Sequence, residues 1–148
     1  MSDQIYQTDL LRLAGAAYGH GRLPQPGGSA TLDNPMCGDR VTFDVTVDAE
    51  GRVQEIAQKT RACVLCQASS SIIAARAPGH TAAELAAVDT AVANMLKSGD
   101  AAPQGDWQEL AVFAPVQETR SRHICVRLPF ETVIAAMADA QAKGASQA

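Results

Sequence analysis

The sequence predicts an α+β domain in which a small antiparallel sheet of about three strands packs against several helices. Residues with helical periodicity come first, a segment of strict two-residue alternation follows at 40–47, and helical periodicity returns in the second half. That order is typical of a sheet with helices on one face rather than of alternating βαβ units. With 148 residues, 47% of them hydrophobic, a single domain over 1–148 with a sizeable core is expected. Residues 143–148 are expected to form a disordered tail.

The first half of the chain supplies a helix and the strands. Apolar residues recur at helical spacing from Ile5 to Tyr18, and the glycine- and proline-rich stretch 19–28 is expected to be a loop. A short strand is predicted over Ala30–Asp33. The stretch Arg40–Val47 alternates apolar with polar residues, as half-buried strands do. After a glycine-containing turn, a further strand from Arg52 to about Lys59 would complete an antiparallel meander.

Helices predominate in the second half. A helix rich in small residues is predicted from Cys63 to Ala75. Thr81 and Glu84 have the spacing of a capping box, which predicts the start of another helix. Asp106 is expected to cap a short helix. Pro129 is expected in the first turn of a C-terminal helix, where proline is well tolerated.

Composition and charge exclude several function classes. The net charge is −4 and no basic stripe is present, which argues against a nucleic-acid-binding surface. No apolar stretch approaches the ~20 residues that span a bilayer, so no membrane partner is expected. The N-terminus lacks a basic region followed by an apolar run, so no secretory signal is expected. A cytoplasmic location follows as the expectation.

Cysteines are the main candidates for chemistry, and they are Cys37, Cys63, Cys66 and Cys125. In a reducing compartment grouped cysteines more often bind metal or react than form disulfides, although a free cysteine can also be a small buried apolar residue. The turn sequence Asn-Pro-Met-Cys-Gly-Asp places the thiol of Cys37 two residues from Asp39. A helix beginning near Cys63 would favour a thiolate there through its dipole.

Soft ligands are therefore offered by three separate segments, those of Cys37 with Asp39, of Cys63 and of Cys125. Three thiolates and one carboxylate make a reasonable tetrahedral set for zinc, and thiolates also suit iron–sulfur clusters. The spacing is not that of a zinc finger, because Cys63 and Cys66 form the single close pair. Spacing alone leaves open whether the segments share one metal ion.

Three sequence blocks resemble the signature blocks of a known family. They are Asn-Pro-Met-Cys-Gly-Asp at 34–39, Ala-Cys-Val-Leu-Cys-Gln-Ala-Ser-Ser-Ser at 62–71 and Arg-His-Ile-Cys-Val-Arg-Leu-Pro-Phe at 122–130. Together they look like those of the iron–sulfur cluster assembly scaffold family, whose members include IscU, SufU and the N-terminal domain of NifU. The resemblance spans nearly the whole chain, and the long segment between the second and third blocks is similar to the SufU branch. It implies a SufE/NifU-like α+β fold.

The resemblance also implies a function and a set of site residues. In the family, three cysteines and an aspartate gather at one end of the domain and bind zinc, iron or a nascent [2Fe–2S] cluster. The matching residues here are Cys37, Asp39, Cys63 and Cys125. Sulfur arrives as persulfide from a PLP-dependent cysteine desulfurase, with Cys37 and Cys125 as candidates for its transfer, and the cluster passes to apo iron–sulfur proteins or cluster carriers. The chain would then be a scaffold or carrier rather than a turnover enzyme.

The chain departs from the IscU pattern in ways that bear on the site. IscU proteins have a histidine directly before the last cysteine, whereas here Ile124 occupies that position and the histidine is His123. The SufU branch shares this departure, and a ligand role for His123 is left open. IscU's chaperone-recognition segment Leu-Pro-Pro-Val-Lys is also absent. Cys66 is not a standard ligand in these families and is interpreted as a helix-face thiol, with a role in holding sulfur left open.

Two alternative functions stay open. The chain could be a zinc-dependent sulfurtransferase, in which zinc organises the site, Cys37 takes the persulfide and no cluster is built; the missing adjacent histidine favours this reading. It could instead be a structural zinc-binding interaction domain. That reading predicts unfolding on chelation, because the metal would supply folding free energy, and the sizeable predicted core argues against it.

Overall fold

The structure is a computed structural model that describes residues 2–36 and 38–147, with side chains described for 8–36 and 38–144. The elements are helix α1 (Ser2–Ala16), strands β1 (Gly28–Asn34), β2 (Asp39–Val47) and β3 (Val53–Arg61), helices α2 (Val64–Arg76) and α3 (Ala82–Ser98), 3₁₀ segments Gly105–Glu118 and Arg120–Arg122, and helix α4 (His123–Gln147). The strands form an antiparallel three-stranded sheet in the order β1-β2-β3. The predicted α+β class is confirmed.

The core lies between the helices and one face of this sheet. Alternate residues of β2, namely Val41, Phe43 and Val45, point to that face and are fully buried. Helix α4 packs on β1 and β2, while α2 packs on β3 and on α4. Aliphatic side chains fill most of the interior, as the low aromatic content predicts. Among the described residues, no helix has the length and apolar character needed to cross a membrane.

A close contact between α4 and β1 determines which residues meet at the end of the sheet. A Cβ atom at Gly28 would lie 2.3 Å from the carbonyl oxygen of Ala136, so the helix rests directly on the strand there. From Gly28, β1 extends roughly 20 Å to Asn34. From Ala136 back to Cys125, the helix extends roughly 16 Å. The similar lengths bring the first turn of α4 to the end of the β1–β2 hairpin.

Two predicted details in the helical half are wrong. Pro129 does not lie in the first turn of the last helix, because α4 begins at His123 and includes Pro129 in its interior. Its ring nitrogen cannot donate to the carbonyl of Cys125, so that carbonyl lacks its usual helical partner. Asp106 does not cap the 3₁₀ segment; Gln104 is the cap residue, and Asp106 lies in the first turn.

Other predicted boundaries agree with the structure. The capping box of α3 is confirmed, since Thr81 and Glu84 exchange both expected hydrogen bonds. Helix α2 begins directly after Cys63, as predicted. The last helix is described as far as Gln147, within the segment 143–148. The disordered tail and the single-domain extent of 1–148 stay predictions.

Candidate metal centre

Asp39 is positioned by the tight end of the β1–β2 hairpin. Asn34 and Asp39 form the last cross-strand pair, and the Gly38 N–H donates to the Asn34 carbonyl at 2.9 Å. Gly38 has φ 72°, in the left-handed region that favours glycine. Asp39 lies on the same face of β2 as the buried Val41 and is itself 3% exposed. The turn therefore delivers a carboxylate to the buried edge of the sheet.

Cys63 joins this carboxylate from the start of α2. It is the N-cap residue, with extended backbone, and its own side chain makes no capping hydrogen bond. Its backbone N–H donates to Asp39 Oδ1 at 3.3 Å. The thiol is half-buried and remains available as a ligand. The N-terminal end of α2 also places a positive dipole end here, which favours anionic groups.

Cys125 approaches from the first turn of α4. Its thiol is 1% exposed and donates to Asp39 Oδ2 at 3.5 Å. Burial is the main effect that raises the pKa of Cys125 above its ordinary value, and the neighbouring Cys63 and Asp39 raise it further. A cation placed among these groups would oppose each effect, because it stabilises the thiolate.

The three groups are close enough to share one ion. One ligand atom each from Asp39, Cys63 and Cys125 lies within 4.8 Å of the other two. Ligands at zinc–sulfur and zinc–oxygen distances in a tetrahedron are roughly 3.5–3.8 Å apart, so small side-chain rotations suffice. Two sulfurs and a carboxylate oxygen suit zinc or ferrous iron. Cys37, the fourth predicted ligand, lies outside the described residues, and its participation stays a prediction.

The centre opens to solvent on one side. A cleft of about 400 Å³ is lined by Gly38, Asp39, Ala62, Cys63, Ser121, Arg122 and Cys125. It belongs to the site itself, since all three described ligand residues line it. The half-buried thiol of Cys63 is the accessible one of the three groups, while Asp39 and Cys125 are almost fully buried. The arrangement is a partly exposed, sulfur-rich group of candidate ligands that could hold a metal ion, and it differs from a closed structural site.

His123 and Cys66 lie apart from the ligand group. The Nε2 atom of His123 lies 3.1 Å from the carbonyl oxygens of both Val116 and Gln117, which ties the ring to the 3₁₀ segment. Cys66 is fully buried inside α2, and burial is the main cause that raises the pKa of its thiol. Neither belongs to the cluster of ligand atoms found in the part of the chain that the structure describes.

Three exposed apolar residues that directly adjoin cysteines in sequence, here called the apolar rim, were not predicted. Met36, Val64 and Ile124 are 90%, 39% and 44% exposed, and each directly adjoins one of the cysteines Cys37, Cys63 and Cys125 in sequence. Exposed large apolar groups that cluster at one place are typical of interaction surfaces. A signal was present in the sequence, because each of the three blocks carries an apolar residue immediately beside its cysteine.

Comparisons with known proteins identify the family and the fold of the chain. The chain matches the family model described as the NifU-like N terminal domain over residues 6–118. It is similar to the structure of a nitrogen-fixing NifU-like protein (N-terminal) from Brucella abortus, with 35% identity, a TM-score of 0.88, and coverage of 95% of this chain and 97% of that chain. No curated protein matches the chain.

Two more distant solved structures show the same fold. One is a hypothetical protein with 23% identity and a TM-score of 0.80, covering 91% of this chain and 98% of that chain. The other is a putative iron–sulfur cluster assembly scaffold protein for the SUF system from Fervidobacterium islandicum AW-1, with 22% identity, a TM-score of 0.80, and coverage of 93% and 99%. At these identities the likeness supports the fold alone.

Proposed function

Because the chain belongs to the family of NifU-like N-terminal domains, we propose that it is a scaffold for iron–sulfur cluster assembly. It accepts sulfur from a PLP-dependent cysteine desulfurase and holds a nascent [2Fe–2S] cluster as its cargo. The observation that carries this proposal is the convergence of Asp39, Cys63 and Cys125 from three elements at one open cleft. Cys37 is the proposed fourth ligand.

Sulfur transfer requires an acceptor thiolate that a partner can reach. The thiolate attacks the outer sulfur of the desulfurase persulfide, the sulfur–sulfur bond of the donor breaks, and the donor cysteine leaves as a thiolate. Cys125 is 1% exposed, so attack by Cys125 needs the site to open. This requirement favours the other candidate, Cys37, as the first acceptor. Reduction of the persulfide to sulfide takes two electrons from an external thiol or ferredoxin-type donor.

The apolar rim supports a docking role at the same place. A desulfurase segment that carries the persulfide must approach within bonding distance of the acceptor sulfur. Burying Met36, Val64 and Ile124 in that complex would exclude water from the reacting sulfurs and stabilise the encounter. The recipients of the finished cluster are apo iron–sulfur proteins or cluster carriers. We place this activity in the cytoplasm, where reduced thiols persist.

A second candidate function is a zinc-dependent sulfurtransferase. In this case zinc holds Asp39, Cys63 and Cys125 in place, Cys37 carries the persulfide, and no cluster forms on the protein. The observation that favours it is the position of His123, whose ring is tied to the 3₁₀ segment rather than to the centre. The described part of the site therefore has no imidazole ligand.

Anaerobic reconstitution separates the two functions. The protein is mixed with ferrous iron, cysteine and a cysteine desulfurase, and then passed through gel filtration. Visible charge-transfer absorption that stays with the protein is the expected result for a scaffold. Tightly held zinc with faster desulfurase turnover and no chromophore indicates the sulfurtransferase. The chromophore or the tightly held zinc should be lost in Cys63→Ser and in Cys125→Ser but kept in the matched control Cys66→Ala. That result assigns the bound cluster or metal to this centre.

A further inference from the structure

The hairpin end beside the metal centre contains a buried hydrogen-bond donor without a role so far. Asn34 is 2% exposed, and its Nδ2 atom has no hydrogen-bond partner among the residues that the structure describes. A buried N–H group that is left unpaired lowers the stability of the folded state. Such groups are rare in folded proteins, and each calls for an explanation.

The orientation of this side chain is fixed by its other end. Asn34 Oδ1 accepts a hydrogen bond from the Met36 N–H at 3.2 Å. Exchanging the oxygen and nitrogen of the amide would place two donors against each other, so the assignment of Nδ2 is secure. The bond also ties the side chain to the turn that leads towards Asp39.

The same residue shares its sheet face with the metal ligands. Asn34 and Asp39 lie directly opposite each other in the β1–β2 ladder, and opposed residues project to the same face. Both side chains are buried. The oxygens of Asp39 already accept from the Cys63 N–H and the Cys125 thiol. With respect to the described residues, the Asn34 amide nitrogen is therefore a donor without an acceptor, on the same sheet face as the candidate ligand Asp39.

The chemistry of the amide nitrogen limits what it can bind. An NH₂ group donates hydrogen bonds and does not ligate a metal ion, so its missing partner is an acceptor. A sulfur atom bound to metal carries negative charge and accepts hydrogen bonds, whereas an S–H group accepts only weakly. Hydrogen bonds of this kind hold the ligands of metal centres and change the electron density on their sulfurs.

We propose that Asn34 Nδ2 donates a hydrogen bond to a sulfur atom of the loaded centre. Asn34 is then a positioning residue that stabilises the loaded state at the expense of the unloaded one. The inference rests on the proposed function, since it requires that the centre binds metal.

Two substitutions and one probe metal test this role. Asn34→Ala removes both ends of the amide, while Asn34→Asp keeps the Oδ1 acceptor for Met36 and removes the donor. Both variants of the full chain should bind Co²⁺ about 10- to 100-fold more weakly, the usual loss when a hydrogen-bond partner of a metal ligand is removed. Both should also shift the sulfur-to-cobalt charge-transfer band to longer wavelength, because the sulfur becomes a better electron donor.

Asn34→Asp is the decisive variant. Its added negative charge would by itself strengthen the binding of a cation, so weaker binding cannot arise from charge. If Asn34→Asp binds Co²⁺ as tightly as the unmodified chain and its band is unmoved, the proposal is overturned. The proposal is also overturned if the metal-free variants are less stable than the unmodified chain while the cobalt charge-transfer band is unchanged. Asn34 would then stabilise only the turn.

A matched control is available in Gln58. Both ends of its buried amide have a hydrogen-bond partner, since Nε2 donates to the Tyr18 carbonyl and Oε1 accepts from Thr60. Gln58→Ala should lower the stability of the unloaded protein and leave the cobalt band unchanged. Absence of any cobalt–sulfur band in the unmodified chain would overturn the metal centre itself, and with it this inference.

Discussion

Cys63 and Cys66 are one helical turn apart and have opposite environments. Cys63 is the residue before α2, with a half-buried thiol beside Asp39. Cys66 is already inside the helix and is fully buried, and its burial raises the pKa of the thiol. A raised pKa leaves little thiolate at neutral pH, and the thiolate is the reactive form. This environment argues against a role for Cys66 in holding sulfur.

Thiol alkylation of the folded, metal-free protein should separate these two cysteines. We expect Cys66 to react with iodoacetamide at least about two orders of magnitude more slowly than Cys63, because it is inaccessible as well as protonated. Peptide mapping by mass spectrometry after timed labelling measures both rates. Unfolding in urea should abolish the difference. Equal rates in the folded protein would contradict the buried position of Cys66.

Asp39 supplies a second prediction at the scale of one residue. A carboxylate is a harder and more exchangeable ligand than a thiolate, so we expect it to promote release of the cargo. Asp39→Ala should release a reconstituted cluster to a chelator several-fold more slowly than the unmodified chain. The exposed Asp33, paired with Arg40 in the same hairpin, provides the control Asp33→Ala. Faster release from Asp39→Ala would show that Asp39 retains the cargo instead.

The sequence indicates the candidate ligand residues, but no local pattern in it predicts that Asp39, Cys63 and Cys125 lie close together. Asp39 accepts hydrogen bonds from Cys63, 24 residues further along the chain, and from Cys125, 86 residues further along. Contacts between residues so far apart in the chain cannot be predicted from local sequence patterns. The expectation that these residues gather came from the resemblance to a family, and in the structure the packing of α4 along β1 brings Cys125 to Asp39. Asn34 was not predicted as a site residue, because its role depends on a missing hydrogen bond and not on residue type.

At the scale of whole elements, periodicity predicted the strands and α3 well and the segment Gly105–Glu118 poorly. Four of its five buried apolar residues are spaced by three, at Trp107, Leu110, Phe113 and Val116, and Val112 is the fifth. A spacing of three suits a 3₁₀ helix, in which residues i and i+3 lie above each other. The sequence-based expectation here is only a short helix capped by Asp106, whereas the 3₁₀ segment spans Gly105–Glu118. Long 3₁₀ segments are uncommon, so this reading had little prior support.

The contact between α4 and β1 predicts a strong requirement for Gly28. A methyl group at this position would overlap the Ala136 carbonyl and the backbone of Ala140. Because backbone atoms cannot move aside as a side chain can, Gly28→Ala should lower the free energy of unfolding by more than about 3 kcal/mol. Urea denaturation followed by circular dichroism measures the change.

Gly15 in α1 is a suitable control for this substitution. No atom lies within 4 Å of a Cβ built there, and the residue is exposed. Gly15→Ala should therefore be neutral or stabilise by up to about 1 kcal/mol, since alanine favours the helix. If both variants had similar stability, the close approach of α4 to Gly28 would be wrong.

At the scale of the whole molecule, a buried carboxylate ties the loop after α1 to the sheet. Asp44 is 1% exposed and accepts hydrogen bonds from the Arg22 guanidinium, the Ser29 hydroxyl and the Leu23 N–H. Burial by itself would raise the pKa of Asp44, but these hydrogen bonds outweigh it and the pKa lies below its ordinary value. Asp44 therefore binds its proton more weakly in the folded than in the unfolded chain.

The sign of this shift predicts acid sensitivity. A lowered folded-state pKa contributes stability above the unfolded pKa of about 3.9, and that stability is lost as the pH falls through the folded value. The free energy of unfolding should thus fall between pH 5 and pH 3, and it should fall less in Asp44→Asn, which has no charge to lose. Urea titrations at several pH values measure both slopes. Parallel slopes would contradict the role of Asp44.

Metal removal tests the alternative that the chain is a structural zinc-binding domain, whose folding would depend on the metal. The apolar core extends over the sheet and the helices and does not depend on the centre. We expect excess chelator to lower Tm by roughly 5–10 °C while one cooperative transition remains. Differential scanning calorimetry with and without chelator provides the measurement. Loss of the transition on chelation would favour a structural zinc domain.

The separation of the ligands along the chain also sets when they become available during synthesis. Asp39 emerges from the ribosome long before Cys125, which is 86 residues further on. Until α4 has been synthesised and has packed on β1, a nascent chain has only an incomplete set of the candidate metal ligands. Capture of a metal ion by the full set therefore reports that folding has finished.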